Sequence, residues 1–179
     1  PEHLPRVMRL FNEMALEVCE GQQYDMDFEQ KDCVSVEEYI LMIERKTSAL
    51  LSGSAMIGAT LAGAAEDDVK KIYRFATELG LAFQLQDDVL DSFGDEALGK
   101  KIGGDILEGK QTYLMVQAMS RASEAEREVL RTTHKNEALS DAEKIATIKA
   151  LYEKLDVKHA TEQQIELRFE RALSVLNTL

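Results

Sequence analysis

The stretch LGLAFQLQDDVLD, residues 79–91, combines an apolar helical pattern with three aspartates at its end. At about 100° per residue, Gln84, Asp87 and Asp91 lie on one face of a helix, and Asp88 borders that face. Carboxylates four residues apart repel each other, and an aspartate near a helix C-terminus opposes the helix dipole. A bound cation would reverse both effects, and oxygen ligands suit Mg²⁺, which commonly shares its coordination with substrate phosphates. The alternative interpretation is a solvated acidic helix end.

Helical periodicity continues on both sides of this stretch, and no segment has the pattern typical of a strand. Upstream, the pattern predicts one helix that ends at Gly21 and a long helix that a Ser35–Glu38 capping box opens. Downstream, glycines interrupt the periodicity from Gly94 to Gln111, which predicts a loop with at most one helical turn. Capping-box patterns at Ser123–Glu126 and Ser140–Glu143 open two further helical patterns, and an amphipathic stretch closes the chain. The sequence therefore predicts an all-α fold, an antiparallel bundle of roughly seven helices.

Four lysines stand where they could meet an anionic group. Lys100, Lys101 and Lys110 lie on the glycine-rich loop, whose mobile backbone would let ammonium groups close over phosphate oxygens. An ordinary surface loop is the alternative. Lys46, followed by Thr47, lies among apolar residues of the long predicted helix, so its head group must either reach solvent or find an anion.

The composition excludes several classes of partner. The chain has 179 residues, 45% of them hydrophobic, and a net charge of -12, which opposes binding to nucleic acid or to an anionic membrane. No stretch reaches the roughly 18 to 20 apolar residues that span a bilayer. The apolar run 55–65 is too short and predicts a closely packed interior helix. Two cysteines, Cys19 and Cys33, favour a reduced, cytoplasmic protein in which each is buried apolar filler.

In their order along the chain, these residues resemble the trans-prenyl diphosphate synthases, the family of farnesyl and geranylgeranyl diphosphate synthase. The resemblance runs from about Gly21 to Thr112. Its motifs are Gly21-Gln22 with Asp25, Lys46-Thr47, the F-Q-x-x-D-D-x-x-D run at 83–91, and Gly99-Lys100 with Gly103, Asp105 and Gly109-Lys110. It implies a magnesium-dependent prenyltransferase that condenses an allylic diphosphate with isopentenyl diphosphate to make a longer polyprenyl diphosphate. It also implies that residues 1–179 are the C-terminal portion of a single domain of the isoprenoid synthase fold.

The resemblance implies a metal site at the aspartates. Asp87 would bind Mg²⁺ directly, and Asp88 and Asp91 would bind it directly or through metal-bound water, so that the metal holds the allylic diphosphate. The family also has a first D-D-x-x-D motif with following arginines, and none occurs upstream of Gly21. Asp67-Asp68 is no substitute, because it lies at a helix start without a third aspartate at the spacing. We therefore expect the N-terminal helices with the first motif to be absent and the chain alone to be catalytically incomplete.

The resemblance also implies roles for residues outside the aspartate run. Lys46 and Lys100 would bind the same substrate diphosphate, with Lys110 as a further helper. Thr47 and Gln84 would direct oxygen dipoles toward the allylic cation. Departure of diphosphate leaves an anion and a cation to stabilise, which metal, lysines and fixed dipoles can do without a protein nucleophile.

Two other functions remain open from the sequence. One is a non-catalytic helical subunit that partners an active synthase, since the family includes inactive relatives. The other is a class I terpene cyclase, although cyclases normally carry a second metal motif with Asn and Ser or Thr among its ligands. A homodimer is a family expectation. Product chain length cannot be read here, because the family sets it largely near the first motif.

Overall fold

The computed structural model describes residues 2–94 and 102–179. All regular secondary structure within these residues is helical. The all-α prediction is therefore confirmed. Helices follow one another along the chain as α1 (Leu4–Phe28), α2 (Val36–Ile43), a π-helical turn (Glu44–Ser48), α3 (Ala49–Leu61), α4 (Glu66–Phe93), α5 (Gly104–Glu108), α6 (Tyr113–Arg121), α7 (Glu124–Thr132), a 3₁₀ turn (Thr133–Lys135), α8 (Asp141–Lys154) and α9 (Val157–Leu176).

Three serines cap helices where the sequence predicts capping boxes. Ser35 Oγ accepts a hydrogen bond from the Glu38 backbone N–H (3.1 Å), and Glu38 Oε2 accepts one from the Ser35 N–H (2.9 Å). The same reciprocal pairs form at Ser123 and Ser140, where α7 and α8 begin. Each box satisfies two amides that have no partner inside the helix, which is why the starts of these helices follow from local sequence.

Gly21 does not end the first helix, and that prediction was wrong. Helix α1 continues through it to Phe28, and Gly21 is buried. A Cβ atom at Gly21 would lie 2.6 Å from Lys46 Cα and 2.7 Å from the Arg45 carbonyl carbon. Glycine is needed here for a close approach of two backbones, a use that sequence alone does not distinguish from a helix stop.

The long helix predicted from Ser35 onward is interrupted by the π-helical turn at Glu44–Ser48. Gly80 of α4 packs against this turn, since a Cβ atom there would lie 2.7 Å from Ser48 Cα. The apolar residues on either side keep helical spacing, so their pattern cannot reveal the wider turn. Within the predicted glycine-rich loop, the described residues include one short helix, α5, and residues 95–101 lie outside the described part of the chain.

Two compact units make up the described residues. The first unit draws on Pro1–Asp25, Ile40–Gln84 and Gln164–Leu179, and the second on Met26–Tyr39 and Leu85–Gln163. The second unit has a core whose buried members come from α5 to α9 and the segments joining them: Ile106, Leu114, Met115, Ala118, Met119, Ala122, Leu130, Ile148, Tyr152 and Val157. That the chain is part of one single domain stays a prediction.

Exposure of some side chains differs from the expectations. Cys19 and Cys33 are both exposed, so the prediction that they are buried filler was wrong. The apolar run 55–65 is only partly interior, and Leu61 within it is 60% exposed. No helix in the described part of the chain combines the length and the apolar character needed to cross a membrane.

Candidate functional site

The predicted site residues divide between the two units. Lys46, Thr47 and Gln84 belong to the first unit. Asp87, Asp88, Asp91 and Lys110 belong to the second. Lys100, predicted to bind diphosphate, lies outside the residues that the structure describes.

In the first unit, Lys46 lies on the π-helical turn and pairs with a carboxylate. Its Nζ is 2.5 Å from Asp25 Oδ2, and the two side chains are 35% and 25% exposed. Gly21 and Asp25 are one helical turn apart on α1, so the glycine that admits the Lys46 backbone and the aspartate that pairs with its ammonium share a face. Of the two outcomes open to this lysine, the structure shows the one in which it finds an anion. Isolated π-helical turns are frequent at functional sites.

Thr47 and Gln84, both predicted to present oxygen dipoles, are joined by a hydrogen bond in the first unit. Thr47 Oγ1 donates to Gln84 Oε1 at 2.9 Å. The bond links the π-helical turn to α4 and orients the Gln84 amide with its oxygen toward the hydroxyl. Two oxygen atoms that the sequence places 37 residues apart are therefore held together.

In the second unit, Asp88 is buried and bound within the protein. Its side chain is 3% exposed, and its Oδ2 accepts hydrogen bonds from Tyr39 Oη (2.5 Å) and from the Tyr113 backbone N–H (2.8 Å). Tyr113 is the first residue of α6, so the carboxylate lies at a helix N-terminus, where the dipole favours negative charge. These contacts make Asp88 a structural anchor. Its role toward a metal stays a prediction.

Asp91 is partly buried and connects α4 to the segment that begins α5. Its Oδ2 accepts a hydrogen bond from the Asp105 N–H (3.1 Å), and its backbone carbonyl accepts one from the Gly103 N–H (2.7 Å). Burial raises the pKa of Asp91, and the charges of Asp105 and Asp87 raise it further, against the lowering effect of the Asp105 N–H and of Lys110. Negative charge is therefore concentrated around Asp91.

Lys110 is engaged by carboxylates of its own segment. Its Nζ lies 3.1 Å from Asp105 Oδ1 and 3.1 Å from Glu108 Oε2. Partial burial acts to lower the pKa of Lys110, but hydrogen bonds to Glu108 and Asp105 outweigh it, and the net effect is a raised pKa. To bind a diphosphate, this ammonium would have to exchange those partners.

The carboxylates of α4 suit a metal that takes few protein ligands. Within residues 2–94 and 102–179, no group of three or more His, Cys, Asp or Glu side chains stands close enough to hold a metal ion by itself. Mg²⁺ is commonly bound through one or two carboxylates together with waters and substrate phosphates. Asp87 and Asp91, one turn apart and both partly exposed, fit that oxygen-only donor set.

Two participants in this region carry no local signal of their contacts. Tyr39 lies in an apolar helical run, and Tyr113 contributes only a backbone amide. Asp25 and Asp105 belong to quoted motifs, but the pairing of Asp25 with Lys46 and the contact of Asp105 with Asp91 do not follow from those motifs. Each contact joins residues distant in sequence.

Comparison with known proteins gives a consistent result. The family model described as Polyprenyl synthetase matches residues 2–155. The chain is 41% identical over 138 residues to a short chain isoprenyl diphosphate synthase of Methanocaldococcus jannaschii, covering 76% of this chain and 42% of that protein. It is 37% identical over 166 residues to a geranylgeranyl pyrophosphate synthase of Geoglobus acetivorans, covering 93% of this chain and 50% of that protein.

Solved structures agree with these relatives. A crystal structure of geranylgeranyl pyrophosphate synthase from Corynebacterium glutamicum, complexed with isoprenyl diphosphate and magnesium, superposes with a TM-score of 0.92 at 31% identity. That superposition covers 100% of this chain and 51% of the other. The chain thus spans about half, or somewhat less, of the length of the proteins it matches.

Proposed function

The chain belongs to the polyprenyl synthetase family, and we propose that the full-length protein carrying it is a prenyltransferase. It condenses an allylic diphosphate with isopentenyl diphosphate to give a longer polyprenyl diphosphate. The observation that carries the proposal is the family match over residues 2–155, which includes every predicted site residue. The relatives described above are named as isoprenyl or geranylgeranyl diphosphate synthases, which supports the same reaction class.

In the second unit, Asp87 and Asp91 would hold Mg²⁺ on the exposed side of α4. When bound, Mg²⁺ supplies positive charge to the diphosphate as the bond to the allylic carbon breaks. Lys100 and Lys110 would add ammonium groups to the same diphosphate. The acidic surroundings of Asp91 support this assignment, because a cation would relieve the repulsion among these carboxylates.

In the first unit, Lys46 would bind diphosphate oxygens while Asp25 keeps its ammonium in place. Thr47 and Gln84, joined by their hydrogen bond, would hold oxygen atoms toward the developing allylic cation. Dipoles that are fixed before the reaction need no reorganisation when charge develops, which is the largest source of stabilisation in many enzymes. The double bond of isopentenyl diphosphate would then attack the allylic cation. The cation formed by this addition would lose a proton to give the product.

Replacement of Asp87 tests the proposal directly. In the full-length protein, we expect Asp87→Ala to abolish Mg²⁺-dependent condensation of isopentenyl diphosphate with dimethylallyl or geranyl diphosphate, because the metal loses a carboxylate ligand. Helical content should be unchanged, since the Asp87 side chain is partly exposed. Product formation by chromatography and circular dichroism measure the two effects.

Asp67→Ala is the matched control on the same helix. Asp67 lies at the start of α4, is 78% exposed and pairs with Lys71 at 2.9 Å, so its loss should leave condensation within about twofold of wild type. Unchanged activity in Asp87→Ala would overturn the metal assignment. Absence of condensation in the wild-type full-length protein with both dimethylallyl and geranyl diphosphate would overturn the proposed function itself.

Three further properties belong to this proposal. Residues 1–179 alone would not complete the reaction, because the sequence contains no D-D-x-x-D motif upstream of Gly21. The full-length protein would act as a homodimer, as the family resemblance implies, which light scattering can measure. It would act in the cytoplasm, which cell fractionation can test.

A further inference from the structure

A tyrosine that the proposed reaction does not use is bonded to the aspartate motif inside the second unit. Tyr39 is 2% exposed, and its hydroxyl donates to Asp88 Oδ2 at 2.5 Å. The same oxygen accepts the Tyr113 N–H at 2.8 Å. Tyr39 and Tyr113 also contact each other, with ring centroids 5.8 Å apart, and Gln117 Nε2 donates to the Tyr113 hydroxyl at 3.0 Å. The carboxylate of Asp88 is thus held on one oxygen by two buried donors.

We propose that Tyr39 is a positioning residue. It fixes the side chain of Asp88 and thereby sets the direction in which the side chains of Asp87 and Asp91 project from α4. The inference rests on the proposed function, since it assigns the carboxylates of Asp87 and Asp91 to the metal and that of Asp88 to the protein interior. It changes the role of Asp88 within the D-D-x-x-D motif from a metal ligand to an anchor.

Helix geometry gives the physical reason. Successive residues are about 100° apart around a helix, so a side chain pinned at Asp88 fixes the rotation of the last turns of α4. Asp87 and Asp91 then project from a neighbouring face at a set angle. A metal that demands near-ideal octahedral geometry is sensitive to this angle. Partners that orient metal ligands commonly change metal affinity by about 10-fold to 100-fold when they are removed.

The donors around Asp88 have supporting contacts of their own. Tyr113 contributes its amide from the first turn of α6, where Thr112 caps the helix by accepting the Met115 N–H at 3.3 Å. Tyr39 is held by burial and by its ring contact with Tyr113. These contacts favour one position of the Asp88 carboxylate.

Tyr39→Phe removes the hydroxyl and keeps the ring. In the full-length protein, we expect this variant to need an about 10-fold higher Mg²⁺ concentration for half-maximal activity and for half-maximal thermal stabilisation. Two readouts should agree: condensation activity, and thermal stabilisation by Mg²⁺ titrated in the presence of inorganic diphosphate. At saturating Mg²⁺ the activity should recover most of the wild-type rate, which a general loss of folding would not permit. An unchanged half-saturation in a folded variant overturns the inference.

Thr161→Val is the matched control. Thr161 is fully buried within the second unit, and its hydroxyl donates to the Val157 carbonyl of its own helix at 2.7 Å. This change removes an equally buried hydroxyl without touching the carboxylate. Its Mg²⁺ half-saturation should match wild type in both readouts. A shift equal to that of Tyr39→Phe would show general loosening of the core and would overturn the inference.

Substitutions at Asp88 decide between anchor and ligand even where Tyr39→Phe fails to fold. Asn at position 88 can still place an oxygen between the two donors, whereas Ala cannot. We expect Asp88→Asn to shift Mg²⁺ half-saturation less than Asp88→Ala, and less than Asp87→Asn, which removes the charge of a direct ligand. An equal shift of Mg²⁺ half-saturation in Asp88→Asn and Asp87→Asn would show that Asp88 is a metal ligand and would overturn the inference.

The outcomes separate this inference from the proposed function. If the wild-type protein makes no polyprenyl diphosphate, the proposed function fails, while the thermal readout still tests the link between Tyr39 and metal binding. If the wild type is active and Tyr39→Phe equals it at every Mg²⁺ concentration, only the positioning role fails.

Discussion

Gly21 and Gly80 are the residues at which the described structure leaves no room for a side chain beside the π-helical turn. One packs against Lys46 and the other against Ser48, on either side of Thr47 in sequence. The atoms nearest to Gly21 are all backbone, and those nearest to Gly80 include the Ser48 Cα, so neither contact can be relieved by the rotation of a side chain alone. The lysine and threonine of the predicted site therefore depend on two residues with no functional group of their own.

Gly21→Ala should destabilise the protein because its Cβ would overlap the Lys46 backbone. Overpacking typically costs about 1 to 3 kcal/mol, and we expect the upper end of that range here because backbone atoms must move. Gly58→Ala is the control: Gly58 lies in α3, and a Cβ there meets nothing within 4 Å. That change should stabilise the helix by about 0.5 to 1 kcal/mol. Urea unfolding measures both, and equal effects would contradict the close packing.

At the scale of elements, the helix starts and the π-helical turn depend on different interactions. Capping boxes at Ser35, Ser123 and Ser140 use residues three positions apart. The π-helical turn is contacted by residues of α1 and α4, more than 20 positions away in the chain. Local hydrogen bonds begin the helices, whereas packing against distant helices accompanies the local widening at Glu44–Ser48.

Ser140→Ala should weaken α8 by about 1 kcal/mol, because the Glu143 N–H loses its acceptor. The capping box also holds the pKa of Glu143 below its usual value of 4.5, chiefly through the Ser140 N–H. A lowered pKa means that this contribution is present above about pH 4.5 and is lost as the pH falls further. Ser140→Ala keeps this N–H but removes the hydroxyl that donates to Glu143 Oε2 at 2.7 Å, so the part of its effect that depends on that bond should be lost at pH 3.

Ser120→Ala is the control for this cap. Ser120 is exposed within α6, and its hydroxyl donates only to the Gln117 carbonyl of its own helix. Its loss should change stability by less than about 0.5 kcal/mol at either pH. Thermal unfolding at pH 7 and pH 3 gives the comparison, and equal losses in the two serine variants would show that the capping box contributes nothing.

At the scale of the whole molecule, the charge decides how an anionic substrate can bind. Acidic residues outnumber Lys and Arg by 33 to 21, and two of the predicted diphosphate-binding lysines are paired already, Lys46 with Asp25 in the first unit and Lys110 with Asp105 in the second. A diphosphate therefore meets a protein of mainly negative charge. A divalent cation is the group that reverses the sign locally.

Inorganic diphosphate should therefore stabilise the full-length protein only when Mg²⁺ is present. A ligand at about 100 times its dissociation constant adds about 2.7 kcal/mol to stability, which a thermal shift detects. Excess EDTA should abolish the shift, and inorganic phosphate with Mg²⁺ serves as the control for a general salt effect. An equal shift in EDTA would contradict the requirement for metal.

The sequence by itself determined the helices, most of their ends and the set of candidate residues. Helical periodicity and capping boxes involve neighbours within about one turn, so local sequence is sufficient for them. The F-Q-x-x-D-D-x-x-D run at 83–91 and its surrounding motifs were sufficient to indicate the family, which the comparison over residues 2–155 confirms.

Only the tertiary structure decided what the individual candidates contact. Tyr39 reaches Asp88 across 49 positions, Thr47 reaches Gln84 across 37, and Lys46 reaches Asp25 across 21. No periodic pattern encodes such pairs, because each depends on which helix faces pack together. For the same reason Gly21 was taken for a helix stop: its neighbour, the Lys46 backbone, becomes visible only when α1 and the π-helical turn are packed.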